Sequence, residues 1–111
     1  MIEDIIQADI FSWYNNKYCL KHHNPRHCIF SVPNGGKRNK REAAKLKATG
    51  LRAGVSDLIV VQPNRCIYVE VKTATGEQSD KQKEFEQIVT ALGFEYWLVR
   101  SLEDFINKLQ K

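Results

Sequence analysis

The sequence predicts an α/β domain, a mixed β-sheet with helices packed on it, and three observations carry that prediction. Apolar residues recur at helical spacing near the N-terminus and in two later stretches, residues 79–92 and 101–109. Between them stand short runs rich in Val, Ile, Tyr and Phe, bounded by Gly, Pro and Asn. The order reads helix, strand, basic helix, strand, strand, helix, strand, helix, without internal repeat or a linker able to divide 111 residues. One domain over residues 1–111 with a modest core is therefore expected.

Residues 2–18 read as the first helix. Ile2, Ile6, Ile10 and Trp13 form a stripe, Ile5 and Phe11 reinforce it, and Glu3 shares a face with Gln7, four residues on. Asn15-Asn16 and the segment 22–26 break the pattern. His27 to Pro33 follows as a strand, ended by Asn34-Gly35-Gly36. Lys40 to Thr49 reads as a short basic helix with Gly50 as its C-cap. Ala43, Ala44 and Ala48 leave it little to bury, so it is expected at the surface.

Gly54-Val55-Ser56 gives a tight approach into a strand, Asp57 to Val61. A second run, Cys66 to Lys72, is the next strand, and Pro63-Asn64 supply the turn between the two. After a loop through Gly76, Ser79-Asp80-Lys81-Gln82 opens a helix with a capping box. Its stripe is Phe85, Ile88, Val89 and Leu92, and Gly93 ends it. Phe94 to Val99 is expected as a buried strand. Ser101 then caps a last helix with the stripe Leu102, Phe105, Ile106 and Leu109.

Composition narrows the function classes. A hydrophobic content of 42% argues against wholesale disorder, and no apolar run is long enough to span a membrane. The acidic start, Met1-Ile2-Glu3-Asp4, is unlike a secretory signal, so a soluble cytoplasmic protein is the expectation. The net charge of +4 hides an asymmetry. Lys37, Arg38, Lys40, Arg41, Lys45, Lys47 and Arg52 fall in one window with a single acid, Glu42, giving it +6 and leaving the rest negative. Such a patch neutralises phosphates, although a solvated helix face rich in lysine would look the same. The three cysteines, Cys19, Cys28 and Cys66, make no disulfide framework, and Cys66 is expected as a small buried hydrophobe. The cluster Cys19, His22, His23, His27 and Cys28 has no Cys-x2-Cys pair and is not expected to hold zinc.

The most informative pattern is Asp57, twelve residues, then Glu70-Val71-Lys72. A hairpin centred on Pro63-Asn64 would set Asp57 directly opposite Glu70. Opposed Cβ atoms lie ~4.5–5.5 Å apart, near enough for two carboxylates to share a divalent ion. Lys72, two residues beyond Glu70, projects from the same face. An Asp at a strand start is often only a turn residue, and Glu-Val-Lys is often only a solvated strand face. Opposed like charges are destabilising without a neutralising partner, however, and Lys72 is one charge against two. The arrangement points to metal-assisted hydrolysis.

Gly54-Val55-Ser56-Asp57-Leu58-Ile59, Glu70-Val71-Lys72, Gly76 and Ser79-x-x-Gln82 together resemble the VRR-NUC family of the PD-(D/E)XK nuclease superfamily. The resemblance covers nearly the whole chain, including the Glu3…Gln7 helix and Arg100-Ser101-Leu102-Glu103-Asp104. It implies a restriction-endonuclease-like fold and a Mg²⁺ or Mn²⁺ site. By motif position, Asp57 and Glu70 would be the principal ligands, with the Val71 carbonyl and Glu3 (or its neighbour Asp4) as further donors. Lys72 would orient the attacking water and stabilise charge on the phosphate. Gln82 would support the site, or serve only as the N3 residue of its capping box. The family often has proline before the aspartate, where this chain has Ser56.

The resemblance further implies a structure-selective DNA endonuclease of the stand-alone phage or bacterial type, acting in the host cytoplasm if phage-encoded. Branched DNA, above all the four-way junction, is the expected substrate, and a homodimer the expected assembly. The basic window would grip the DNA backbone without reading bases. The alternatives are a non-catalytic nucleic-acid-binding protein and a nuclease that nicks duplex or flap DNA without junction preference.

Overall fold

The computed structural model of the chain describes residues 2–33 and 39–111. Lys37 and Arg38, with the strand-ending Asn34-Gly35-Gly36, lie outside the described residues. The expected element order is found: α1 (Ile2–Tyr18), β1 (Cys28–Ser31), α2 (Lys40–Ala48), β2 (Leu58–Gln62), β3 (Arg65–Val71), α3 (Asp80–Ala91), β4 (Glu95–Val99) and α4 (Leu102–Leu109). The four strands form one sheet in the order β1-β2-β3-β4. The first two pairings are antiparallel, and β3 pairs in parallel with β4 through the crossover helix α3.

The β2–β3 hairpin has the predicted register. Gln62 pairs with Arg65, Val60 with Ile67 and Leu58 with Val69. The turn is as tight as two residues allow. Pro63 has its φ fixed by the ring, and Asn64 takes a positive φ of 58°, which Asn tolerates better than most side chains.

Alternation along β3 sorts the sheet into two faces. Ile67, Val69 and Val71 point into a core made with Leu58, Val60, Ile29 and Val99, closed by Ile10 and Tyr14 of α1 and Phe105 of α4. Trp13 and Trp97 meet the Phe105 ring edge-on from either side. Tyr68, Glu70 and Lys72 point to the opposite face, which α3 covers over β3 and β4. There Tyr68 meets Phe85 and Phe94, and Phe85 meets Tyr96.

Several expectations about burial need correction. β4 is not a buried strand: only Val99 is buried, because β4 lies at the sheet edge. Of the α3 stripe, Val89 is buried and Phe85 half-buried, while Ile88 and Leu92 are exposed. In α1, Ile6, Ile10 and Trp13 serve the core, joined by Tyr14, whereas Ile2, Ile5 and Phe11 are exposed. Cys66 is half-buried, on the sheet face away from the main core, and the buried cysteine is Cys19. The basic helix α2 buries nothing, as its alanines suggested. Its N-cap is Asn39, whose side chain accepts from the Glu42 amide, and Gly50 follows the Thr49 C-cap with φ 113°.

Candidate active site

The open end of the β2–β3 hairpin collects the candidate residues. One register step beyond Leu58 and Val69, Asp57 would pair with Glu70, but the ladder stops there. The Asp57 carbonyl instead accepts from the Val32 amide at 2.9 Å, continuing the β1 side. Its carboxylate turns across to β3, where Oδ2 accepts from the Val71 amide at 2.7 Å. Asp57 is thus fixed by main chain on both sides. The approach is fixed as well. Gly54 has φ 85°, and a Cβ there would run into the Lys81 carbonyl in the first turn of α3. Ser56 is buried, and its hydroxyl donates to the Leu58 carbonyl at 3.3 Å.

Glu70 is 1% exposed. Its Oε2 accepts from Gln82 Nε2 at 2.9 Å and lies 3.3 Å from Lys72 Nζ. Its Oε1 is buried with no hydrogen-bond partner. A buried polar atom without a partner is uncommon and calls for a physical explanation. Burial foremost, then the facing Asp57 carboxylate, push the Glu70 pKa up to about 8, against the pull of Lys72. Lys72 is itself buried, and its amide donates to the Val99 carbonyl at 3.0 Å. Two carboxylates facing one lysine in a desolvated corner make ionisation of both costly, and that is a donor set a divalent cation fits.

Gln82 completes its capping box and also reaches Glu70. Its Oε1 accepts from the Ser79 amide at 2.8 Å and its amide donates to Ser79 Oγ at 3.2 Å, completing the capping box. Capping leaves the side-chain NH₂ pointing at Glu70, so the helix cap aims the site residue.

Glu3 is half-buried and Asp4 exposed in the first turn of α1. The structure does not bring either to the carboxylate pair: among the described residues no three His, Cys, Asp or Glu side chains gather to hold an ion. Asp4 instead lines a groove of about 310 Å³ with Gln7, Phe11, Ser31 and Leu58. Of the basic window, Lys40, Arg41, Lys45 and Lys47 are exposed on α2. Arg52 is tied to Glu84 of α3 at 3.2 Å. Lys47 and Arg52 line one surface cavity with Lys81 and Glu84 of α3. Its one acid, Glu42, is occupied by Asn39 Nδ2 at 2.8 Å.

Three arrangements escaped the sequence. Tyr14 Oη, with its pKa raised to about 12 by burial, joins His27 Nδ1 at 2.7 Å and Gln62 Nε2 at 3.0 Å. His23 and His27 stand at His-x3-His spacing but serve separate partners, since His23 Nδ1 accepts from the Leu20 amide. Gln78 bridges Glu86 and the Tyr96 hydroxyl, whose pKa burial also raises. Arg100 spans to the turn after Lys72, donating to the Thr73 and Gly76 carbonyls at 2.6 and 2.7 Å. The first two rest on pairings between distant segments and leave no local signal. For Arg100 the signal is its position one residue beyond Val99, which the β3–β4 register sets beside Val71.

The model of the VRR-NUC domain matches residues 3–102 of the chain. A solved structure described as a VRR_NUC domain protein superposes with a TM-score of 0.76 at 23% identity, covering 99% of this chain and 86% of that one. No curated protein matches the chain.

Proposed function

Because the chain belongs to the VRR-NUC family and has its nuclease-type fold, we propose that it is a divalent-metal-dependent, structure-selective DNA endonuclease that resolves four-way junctions as a homodimer. The observation that carries this reading is the Glu70 carboxylate, buried opposite Asp57 with one oxygen unpartnered. Asp57 and Glu70 would hold the ion with the Val71 carbonyl beside them, and Glu3, standing apart from the pair, would act through water. Bound Mg²⁺ or Mn²⁺ would supply a Lewis acid and lower the pKa of a coordinated water towards neutrality.

The chain's own residues do the rest. The Val71 amide orients Asp57, and Gln82 orients Glu70. Lys72, held 3.3 Å from Glu70, orients the attacking water and offsets the charge that builds on the phosphate during hydrolysis. Lys40, Arg41, Lys45, Lys47 and Arg52, with Lys37 and Arg38 of the same sequence window, would grip phosphates, which positions DNA without reading its sequence. One such site cuts one strand, so paired cuts at a junction need two sites, most simply in a two-fold dimer.

The test is cleavage of a labelled four-way junction beside its matched duplex and a flap, with Mg²⁺, Mn²⁺ or chelator. Paired, metal-dependent cuts confined to the junction are expected, with a dimer in solution. Equal cutting of duplex would remove the junction preference. Binding without cutting in either metal would leave a nucleic-acid-binding module.

A further inference from the structure

The salt bridge to Glu70 is a single interaction at the tip of a long side chain, and by itself it does not fix where the Lys72 stem lies. The stem is walled by the turn that follows it. A Cβ built on Gly76 would lie 3.6 Å from Lys72 Cδ, so the Gly76 main chain faces the stem. The turn closes on itself weakly: the Gly76 amide is shared between Thr73 Oγ1 at 3.1 Å and the Thr73 carbonyl at 3.2 Å. Its short hydrogen bonds come from outside, from Arg100 Nη1 to the Thr73 and Gly76 carbonyls.

A role for Arg100 confined to the β4–α4 junction does not account for this. That junction is held by other groups: the Arg100 amide donates to Asp104 Oδ2 at 3.0 Å, and Ser101 caps α4 by accepting from the Asp104 amide at 3.0 Å. The guanidinium is left for the turn, where one planar nitrogen offers a hydrogen to each carbonyl. Parallel pairing of β3 with β4 brings the two segments out of the sheet side by side, with the Lys72 amide bonded to the Val99 carbonyl.

We infer that Arg100 is a positioning residue for Lys72, holding the lysine stem in place through the Thr73–Gly76 turn. The inference rests on the nuclease reading for its catalytic consequence, but its structural part stands apart from that reading. A misplacement of about 1 Å at a reacting group can cost on the order of 10²-fold in rate.

The experiment compares wild type with Arg100→Ala, Arg100→Lys and Arg100→Met, by steady-state DNA cleavage and by ¹³Cε relaxation of Lys72 in the metal-free protein. The exposed lysines serve as the internal reference for mobility. Arg100→Ala is expected to lower kcat roughly tenfold or more with KM for DNA unchanged. Lys72 Cε should become as mobile as the exposed lysines, Arg100→Lys should recover part of both losses, and added guanidinium ion should partly rescue Arg100→Ala. Arg100→Met keeps the bulk of the side-chain stem and loses both hydrogen bonds to the turn, so it should reproduce the effect if Arg100→Ala does not fold. A folded Arg100→Ala with an ordered Lys72 overturns the inference, as does an Arg100→Met protein with wild-type order at Lys72. If wild type cuts no DNA at all, the nuclease reading fails, and the relaxation data still decide the positioning role.

Discussion

The two ends of the β2–β3 hairpin both carry polar clusters, half-buried at the turn end and buried at the open end, and they are built on opposite principles. At the turn end, Arg65 of β3 grips Glu95 of β4 with two nitrogens, Nη2 at 2.8 Å, and its guanidinium lies over the Trp97 ring. Gln62, Tyr14 and His27 complete a chain in which donors meet acceptors. The Arg65 hydrogen bond holds the Glu95 carboxyl below its ordinary range. At the open end, two carboxylates face one lysine, Glu70 Oε1 has no partner, and the Glu70 pKa stands near 8. One cluster is closed within the protein, whereas the other keeps a carboxylate oxygen without a partner among the described residues. Burial of a charged group is therefore no sign of function in itself; the mismatch of charges is.

The largest effect that would test this contrast is on chemistry. Lys72→Ala should reduce cleavage by roughly 10²–10³-fold, the scale seen when a group that stabilises transition-state charge is removed, while the fold persists. Rate measurements on a substrate that wild type cuts would check it, and near-normal turnover would break the comparison.

Next is the pH dependence of stability in chelator. Glu70 binds its proton more tightly in the folded than in the unfolded chain. The native state is therefore favoured below the ordinary carboxylate pKa, and that advantage is lost as pH rises through about 8. Melting temperatures should fall between pH 5 and pH 9, and Glu70→Gln should flatten the curve and raise stability at the alkaline end by on the order of a few kcal/mol. Mg²⁺ should stabilise wild type at alkaline pH and leave Glu70→Gln little changed, by mass action on the folded state.

At the turn end the sign reverses. Glu95 has a lowered pKa, so its contribution is present above the ordinary carboxylate range and lost as pH falls through the folded value. Glu95→Gln should cost about 1 kcal/mol or less, because both partners are a third or more exposed and solvent screens the pair. Cleavage should be unaffected; denaturant melts and rate assays would show both.

Smallest per residue is the basic helix. Replacing Lys45 and Lys47 by Ala should weaken DNA binding similarly across sequences. The salt dependence of the binding constant should also become shallower, by about 0.9 for each phosphate no longer neutralised. A titration at several salt concentrations would read it.

Much of this was legible in the residues alone. The β2–β3 register followed from period-two alternation and the Pro63-Asn64 turn, which leave one pairing that keeps Leu58, Val60, Ile67 and Val69 on one face. The caps at Ser79 and Ser101 were readable because their partners stand three residues away. Interactions among near neighbours are set by local backbone geometry, and sequence spacing encodes that geometry directly.

Which apolar stripes are used depended on the assembled fold. Ile88 and Leu92 sit on the same helical stripe as the buried Val89, but α3 packs on β4 and against Tyr68 of β3 in a way that leaves part of its stripe uncovered. The same holds for β4, apolar enough for an interior strand yet placed at the edge. It holds most clearly for the site. Residue spacing alone was enough to bring Asp57, Glu70 and Lys72 together. Long-range packing settled that Glu70 is desolvated with one oxygen unpartnered, that Glu3 stands apart, and that Arg100 reaches the turn after Lys72. Desolvation and long-range hydrogen bonds depend on what the other elements cover, and no local spacing records that.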